Sequence, residues 1–195
     1  MSLTKVSYSM INGAPVSALD YGADPTGVAD SSAALQAAID YVYFTNNGGT
    51  VALGQGGTYK LLSPVIIPPY VTVDLNGSTV VGGGVGTNAL FQSGYDDNGT
   101  IVTNINNPTP EAPGTTTPGL RITNGKIKDA GIAIHLFNAI WQSEISDIEF
   151  ENVTQAVKSQ RSFYSRYKNL ISTGNAGGET DAAFEFNFYI NVEAI

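Results

Sequence analysis

Cysteine is absent from this chain, which excludes a disulfide framework and any thiolate metal site. Stability therefore has to come from packing or association. Histidine occurs once, at His135, so a His-dependent triad has a single candidate and no evident partner. Alternation places it outward, between Ile134 and Leu136, in a structural role. P-loop, dinucleotide-fingerprint, calcium-loop and His-based zinc motifs are all missing, and no cofactor or metal is expected. Long apolar runs are missing too. Nothing approaches the roughly 18 apolar residues of a membrane helix, and Met1 to Gly13 carries one lysine and no continuous apolar stretch, so neither membrane insertion nor a secretory signal is expected. Charge is scarce at 13%, and it is mostly acidic, with 17 Asp and Glu against 9 Lys and Arg for a net charge of −8. Such a chain repels a phosphate backbone, which argues against general nucleic-acid binding; a neutral or cation-bridged partner fits better.

What is abundant is glycine, 22 residues of 195, together with Thr, Asn and Ser. That mixture favours many short strands joined by tight turns. The strands recur: Ile127, Ile148, Leu170 and Val192 are spaced 21, 22 and 22 residues apart. Asp147, Asn169 and Asn191 form a polar column before three of them, and Ile145, Tyr167 and Tyr189 lie two positions earlier. Parallel columns at a period near 22 predict stacked supersecondary units. Asn and Asp tolerate the tight bends between successive strands of a coil, and there they can stack in a ladder. Within Asp147-Ile148-Glu149-Phe150-Glu151, alternation points Ile148 and Phe150 inward and the three carboxylates outward. Second strands are predicted at Ile132 to Leu136, Ala156 to Lys158 and Ala183 to Phe186, and third strands at Ala139 to Trp141 and Phe163 to Tyr164. Three strands in each turn predict a parallel β-helix.

One helix is predicted, over residues 31–44. Asp30 is its expected N-cap, Leu35, Ala38, Ile39 and Val42 make its apolar stripe, and Asn46, Asn47, Gly48 and Gly49 stop it. After it the period changes from 3.6 to 2, with strands at Thr50 to Leu53, Thr58 to Leu61, Val65 to Ile67 and Val71 to Leu75. Leu75-Asn76-Gly77-Ser78-Thr79-Val80 and Ile122-Thr123-Asn124-Gly125-Lys126-Ile127 read as the same coil corner, with a pair of hairpins as the alternative because Asn-Gly is a strong hairpin signal. The resulting division is an N-terminal arm at 1–15, a head with a capping helix at 16–80, a Gly- and Pro-rich excursion at 81–119 with strands near Ala89 to Phe91 and Thr100 to Thr103, and the first turns of the coil at 120–195. The arm is either a frayed terminus or, through alternating Val6, Tyr8 and Met10, a segment docking on a neighbouring subunit.

The head, from Val16-Ser17-Ala18-Leu19-Asp20-Tyr21-Gly22-Ala23-Asp24-Pro25-Thr26-Gly27 through Asp30 to Ile39, then Gly48-Gly49-Thr50-Val51-Ala52-Leu53 and Gly57-Thr58-Tyr59, resembles the start of the pectate-lyase-like right-handed parallel β-helix superfamily. It departs at Gly54-Gln55-Gly56, where that family usually has a proline-containing turn. Leading into the head, Tyr8-Ser9-Met10-Ile11-Asn12-Gly13-Ala14-Pro15 is similar to the N-terminal segment of bacteriophage tailspike proteins. This resemblance implies a homotrimer on a virion, attached through the arm to a phage tail or baseplate protein. It also implies binding, and usually cleavage, of a bacterial capsule, exopolysaccharide or lipopolysaccharide.

Fold does not give reaction, so named residues have to carry any chemistry. Glu149 and Glu193, if they occupy equivalent outward positions two turns apart, would stand roughly 10 Å apart at the strand spacing of a sheet, loosely compatible with an inverting glycosidase pair. Ile171 would lie between them, and solvated outer carboxylates are the plainer account. A lyase needs a base and cations to stabilise the developing charge. Lys158, Arg161, Arg166 and Lys168, interleaved with Tyr164 and Tyr167, offer a cationic surface for an acidic glycan; the plainer account is exposed basic residues balancing an acidic protein. Because the pattern stops at Ile195 without a cap, the expected arrangement is the N-terminal part of a longer protein whose catalytic residues lie beyond it. The functional expectation is a tailspike fragment that is inactive alone and belongs to a polysaccharide lyase or hydrolase. A non-catalytic connector or receptor-binding module is the alternative, and a cellular pectinolytic enzyme is disfavoured.

Overall fold

The computed structural model describes residues 13–84, 89–93, 117–137, 139–160, 164–174, 184–187 and 193–194. Its strands are β1 (Val16–Ser17), β2 (Thr26–Asp30), β3 (Gly49–Ala52), β4 (Thr58–Lys60), β5 (Val65–Ile67), β6 (Val71–Gly84), β7 (Phe91–Ser93), β8 (Thr117–Pro118), β9 (Arg121–Phe137), β10 (Ala139–Ile140), β11 (Glu144–Gln160), β12 (Arg166–Thr173), β13 (Phe184–Asn187) and β14 (Glu193–Ala194). Every pairing among them is parallel. The main path runs β1-β3-β6-β9-β11-β12-β14, while β2-β4-β6 and β5-β7-β9 stack beside it, and β8 pairs with β10.

Register shows how the coil is filled. One inward column is Val16, Val51, Val73, Ile122, Ile145 and Tyr167. A second is Tyr59, Val80, Ile127 and Phe150. A third is Val65, Phe91, Ile134, Val157 and Phe184. All but Phe184, which is partly buried, lie in the core. Stacking like on like lets each rung lose its apolar surface to the rungs above and below, at about 1.5–3 kcal/mol for a fully buried aliphatic or Phe side chain.

The predicted period is present, with a shifted register at both ends. Ile148 pairs with Leu170 as expected, but Ile127 stacks on Phe150, and Ile148 faces Gly125. The inward apolar position slips by two residues between these turns, so the first interval is longer than the spacing suggested. At the other end Arg166 pairs with Glu193, 27 positions on, and Val192, the expected partner of Leu170, lies outside the described residues. The two Asn-Gly segments do form one corner rather than hairpins, because β6 and β9 run parallel, with Ser78 opposite Gly125 and Val80 opposite Ile127. Strands also run through the corners, so the short strands predicted in succession merge into 17-residue strands in β9 and β11. Val81 to Gly84 belongs to β6, and Phe91–Ser93 is a full rung between β5 and β9. The strand predicted at Thr100 to Thr103 lies outside the described residues.

Helix α1 spans Ser32–Asn46 and buries Leu35, Ala38, Ile39 and Val42 as predicted. Its cap position is Ser31, which makes no side-chain cap bond. Asp30 instead anchors the helix start to the coil, since its carboxylate accepts from the Ser32 amide (3.0 Å), the Ser32 hydroxyl (2.6 Å) and the Leu62 amide (3.1 Å). Asn47, in the left-handed region at φ 55°, ends the helix.

Candidate functional site

Each turn of the coil changes direction at left-handed residues, and the corners differ in how they meet that demand. The corner between the first two sheet faces uses Asn76, Asn124, Asp147 and Asn169, and the next uses Asp129, Asn152 and Gly174, all at φ 51–64°. These residue types accept φ > 0 at little cost. Their side chains also close ladders across turns: the Asn169 amide donates to Asp147 (2.7 Å) and the Asn152 amide to Asp129 (2.7 Å). The Asp147 to Asn169 step is the predicted ladder; Asn191 lies outside the described residues.

The remaining corner is built differently. Its left-handed residues are Tyr70 (φ 60°), Gly119 (φ 65°), Trp141 and Gln142 (φ 40° and 66°) and Tyr164 (φ 52°). Bulky side chains in this region are outliers, with a strain on the order of 1–3 kcal/mol each. A ladder of backbone bonds holds them there, since the Tyr70 amide donates to Pro118 (2.9 Å), Gly119 to Trp141 (2.9 Å) and Gln142 to Tyr164 (3.2 Å). Yet the aromatic rings bury little surface in return: Tyr70 and Trp141 are each 59% exposed and Tyr164 is 51% exposed. The Tyr70 ring lies over Gly119, where an added Cβ would sit 2.9 Å from its Cδ1.

This corner opens into a groove of about 500 Å³ lined by Arg121, Trp141, Gln142, Ser143, Glu144, Tyr164, Ser165 and Arg166. Ser143 and Ser165 are buried in its floor, and the Ser143 hydroxyl donates to the Thr117 carbonyl (3.2 Å). Arg121, Glu144 and Arg166 form a register column, so successive charges of alternating sign stand about 4.8 Å apart along the coil. Aromatic faces beside hydroxyl, guanidinium and carboxylate groups suit a polar ligand with flat apolar patches.

Of the predicted site residues, Tyr164 and Arg166 meet in this groove. Lys168 is exposed on β12 but does not line it, and Arg161 lies outside the described residues. The premise for pairing Glu149 with Glu193 fails, because Glu149 stacks on Ile171 whereas Glu193 stacks on Arg166 in another column. Glu149 is instead held by Lys126 (3.0 Å), which also pairs with Glu151. That bridge raises the Lys126 pKa, through Glu151 first and Glu149 second, and lowers that of Glu151. His135 is buried, not outward, at 2% exposure, stacked in register between Gln92 and Lys158. Sequence reasoning missed Arg121, Trp141, Gln142 and Glu144. Their signal was present, since positions 121, 144 and 166 are 23 and 22 residues apart and the single tryptophan precedes Tyr164 by 23.

The stacked parallel rungs and their corners define a right-handed parallel β-helix. No protein-family model matches the chain, and no curated protein does. Among solved structures, PfbA, a surface adhesin of Streptococcus pneumoniae, is similar with a TM-score of 0.70 at 20% identity over 87% of this chain and 42% of the adhesin. A family 28 exopolygalacturonase from Yersinia enterocolitica has a TM-score of 0.68 at 14% identity, covering 92% of this chain and 42% of the enzyme. The tailspike protein of E. coli bacteriophage HK620, solved in complex with a pentasaccharide, has a TM-score of 0.57 at 18% identity, covering 90% and 33%. The chain thus spans well under half the length of these three proteins, and at such identities the likeness is one of fold.

Proposed function

We propose that this chain is the N-terminal β-helix portion of a phage tailspike that binds a bacterial capsule, exopolysaccharide or lipopolysaccharide in the corner groove. The carrying observation is the contrast between corners: two use Asn, Asp and Gly, while the third holds Tyr70, Trp141 and Tyr164 strained and exposed. Strain without burial has no stability benefit, and such residues concentrate at binding and catalytic sites. Sugars offer apolar ring faces that stack on aromatic side chains and hydroxyls that pair with the polar groups between them. Solved neighbours that include a polygalacturonase and an oligosaccharide-bound tailspike support this reading.

The full-length protein is proposed to be a homotrimeric depolymerase on the virion, joined to the tail or baseplate through the 1–15 arm. Cleavage by a glycosidase needs two carboxylates, and the groove lining, among the described residues, supplies Glu144 alone. We assign binding to this groove and cleavage to the full-length protein, and the alternative of a non-catalytic receptor-binding connector applies if the full-length protein cleaves nothing. Glycan-array binding of the chain tests the core claim, with Trp141→Ala and Tyr164→Ala each weakening binding about tenfold, as truncation of an aromatic anchor does. Array binding that both variants retain unchanged would remove the groove from the account. Turnover of host polysaccharide by the full-length protein, and a trimeric mass by light scattering, test the enzymatic and assembly claims separately.

A further inference from the structure

We infer that the outer face of helix α1 is a docking surface and that its occupant is this chain's own arm, with Val6, Tyr8 and Met10 lying along Ala33, Ala37 and Tyr41. A surface helix normally turns charged and polar groups to solvent. In α1 the one charged residue is Asp40, whose carboxylate accepts from the Gln36 amide (2.9 Å). Away from the buried stripe of Leu35, Ala38, Ile39 and Val42, the exposed residues Ala33, Ala37, Tyr41 and Phe44 follow one another on a single line at helical spacing. Phe44 is 64% exposed and Tyr41 39%, although aromatic rings are among the side chains that gain most from burial.

Register brings the arm to this face. β1 pairs with β3 at Val16 to Val51, and β3 begins at Gly49, directly after the end of α1 at Asn47. Carrying that register back two residues sets Ala14 beside Gly49, so the arm leaves the coil at the C-terminal end of α1. Gly13, at φ 84° with open space where a Cβ would go, permits a turn there. Beyond it the two periods match. Alternate residues of an extended segment stand about 6.6 Å apart on one side, and every fourth residue of a helix stands about 6 Å further along its axis. Met10 lies about 10 Å back along the arm from Gly13, and Tyr41 about 9 Å back along the helix from Asn47. Tyr8 then falls opposite Ala37 and Val6 opposite Ala33, larger side chains over small ones. A second copy of the chain fits this face worse. A stripe about 22 Å long and about 10 Å wide is far below the roughly 800 Å² per partner of a stable interface, whereas a tethered segment is held at high effective concentration. Attachment to a tail or baseplate then falls to residues 1–5 and the outward side of the arm, and the docking does not depend on what the corner groove binds.

Limited trypsin digestion of the full chain tests the docking, because Lys5 is the only Lys or Arg before Lys60. Cleavage at Lys5 requires Val6 to Tyr8 to leave the helix, so its rate follows the undocked fraction. Expected is slow cleavage in wild type and roughly tenfold faster cleavage in Tyr41→Ser/Phe44→Ser and in Met10→Ser, the size of a lost apolar contact, with cleavage at Lys60 and later sites unchanged. Met10→Ser lies outside the coil, so it decides the matter where the helix variant loosens the fold and every site is cut faster. Lys5 cut as fast in wild type as in Met10→Ser overturns the docking. The identity of the occupant is read separately. The chain has no cysteine, so a short thiol cross-linker acts only on introduced thiols, Tyr8→Cys with Ala37→Cys. A link within one chain is expected. A link between two chains overturns the choice of the chain's own arm, and thiols that are labelled but never linked overturn the contact.

Discussion

Replacing Gly125 by alanine should destabilise the protein several times more than replacing Gly77, although each follows an asparagine in segments that read as the same corner. Gly77 has φ 71° and open space where a Cβ would go. Alanine there meets the left-handed penalty of about 1–2 kcal/mol, partly offset by the roughly 0.4–1 kcal/mol gained by restricting the unfolded chain. A net loss near 1 kcal/mol lowers Tm by about 2–4 °C for a chain of this length. Gly125 is needed for space instead. A Cβ there would lie 2.5 Å from the Leu75 Cβ and 2.8 Å from the Ser78 carbonyl oxygen. Both residues are fully buried in the strand paired with β9, and neither atom can rotate away. Reaching an ordinary contact of 3.4 Å would part the two strands by about 0.9 Å, which takes a typical ladder bond beyond hydrogen-bonding range. One or two such bonds at about 1 kcal/mol each, with overpacking of about 1–3 kcal/mol, leave a net loss of about 2–4 kcal/mol after the unfolded-chain offset. Tm should fall by about 4–16 °C. Calorimetry and urea titration of both variants measure this, and a Gly125→Ala shift no larger than that of Gly77→Ala would refute the close-approach argument.

Other perturbations test other parts of the molecule. The Asp24 carboxyl accepts from the Ala29 amide (2.7 Å), the Thr26 hydroxyl (2.7 Å) and amide (2.9 Å), and the Val28 amide (3.1 Å), which lower its pKa from 3.8 to about 2. A depressed carboxylate stabilises the fold above its unfolded pKa, and that contribution is lost as pH falls through the folded value. Urea midpoints should therefore drop between about pH 4 and pH 2, as the pKa interval requires, and Asp24→Asn should flatten that limb; an identical slope in the variant would count against the loop's role. Asn169→Asp replaces a donor with a second carboxylate beside Asp147. It should lose on the order of 1 kcal/mol at neutral pH and recover it on acidification, when one carboxyl of the pair takes a proton; a loss that does not vary with pH would point to altered packing. Leu35→Ala, at a fully buried site on α1, should lose about 2–5 kcal/mol by leaving a cavity, read as a shift in urea midpoint at constant m-value.

Much of the coil was legible because parallel stacking repeats its chemistry. Ile145 and Tyr167, or Asp147 and Asn169, are chemically matched because they occupy the same place one turn apart, and the helix stripe of Leu35, Ala38, Ile39 and Val42 follows from local periodicity alone. Register was legible only in part. Ile127 and Ile148 are both apolar and both buried, so the sequence does not say that the first stacks on Phe150 and the second opposite Gly125. Glu149 and Glu193 were misplaced for the same reason, since a change of loop length between turns moves a column without altering its local pattern. His135 alternates as an outward residue yet is buried, because alternation is a local pattern and burial is set by the surroundings of the folded chain.

The amino-acid order by itself determined the class of fold, since period, alternation and turn residues are local properties that every rung must satisfy. Tertiary structure alone decided how the proposed groove is assembled. The sequence singles out Tyr164 for its neighbouring cations but not Tyr70 or Trp141, and only the coil brings the three to one corner, in the backbone conformation given elsewhere to Asn, Asp and Gly. Likewise Arg121, Glu144 and Arg166 are separate charges until parallel register sets them one rung apart. The physical reason is that a side chain's neighbours across turns are fixed by the lengths of the connections between rungs, and those lengths act only when the whole coil closes.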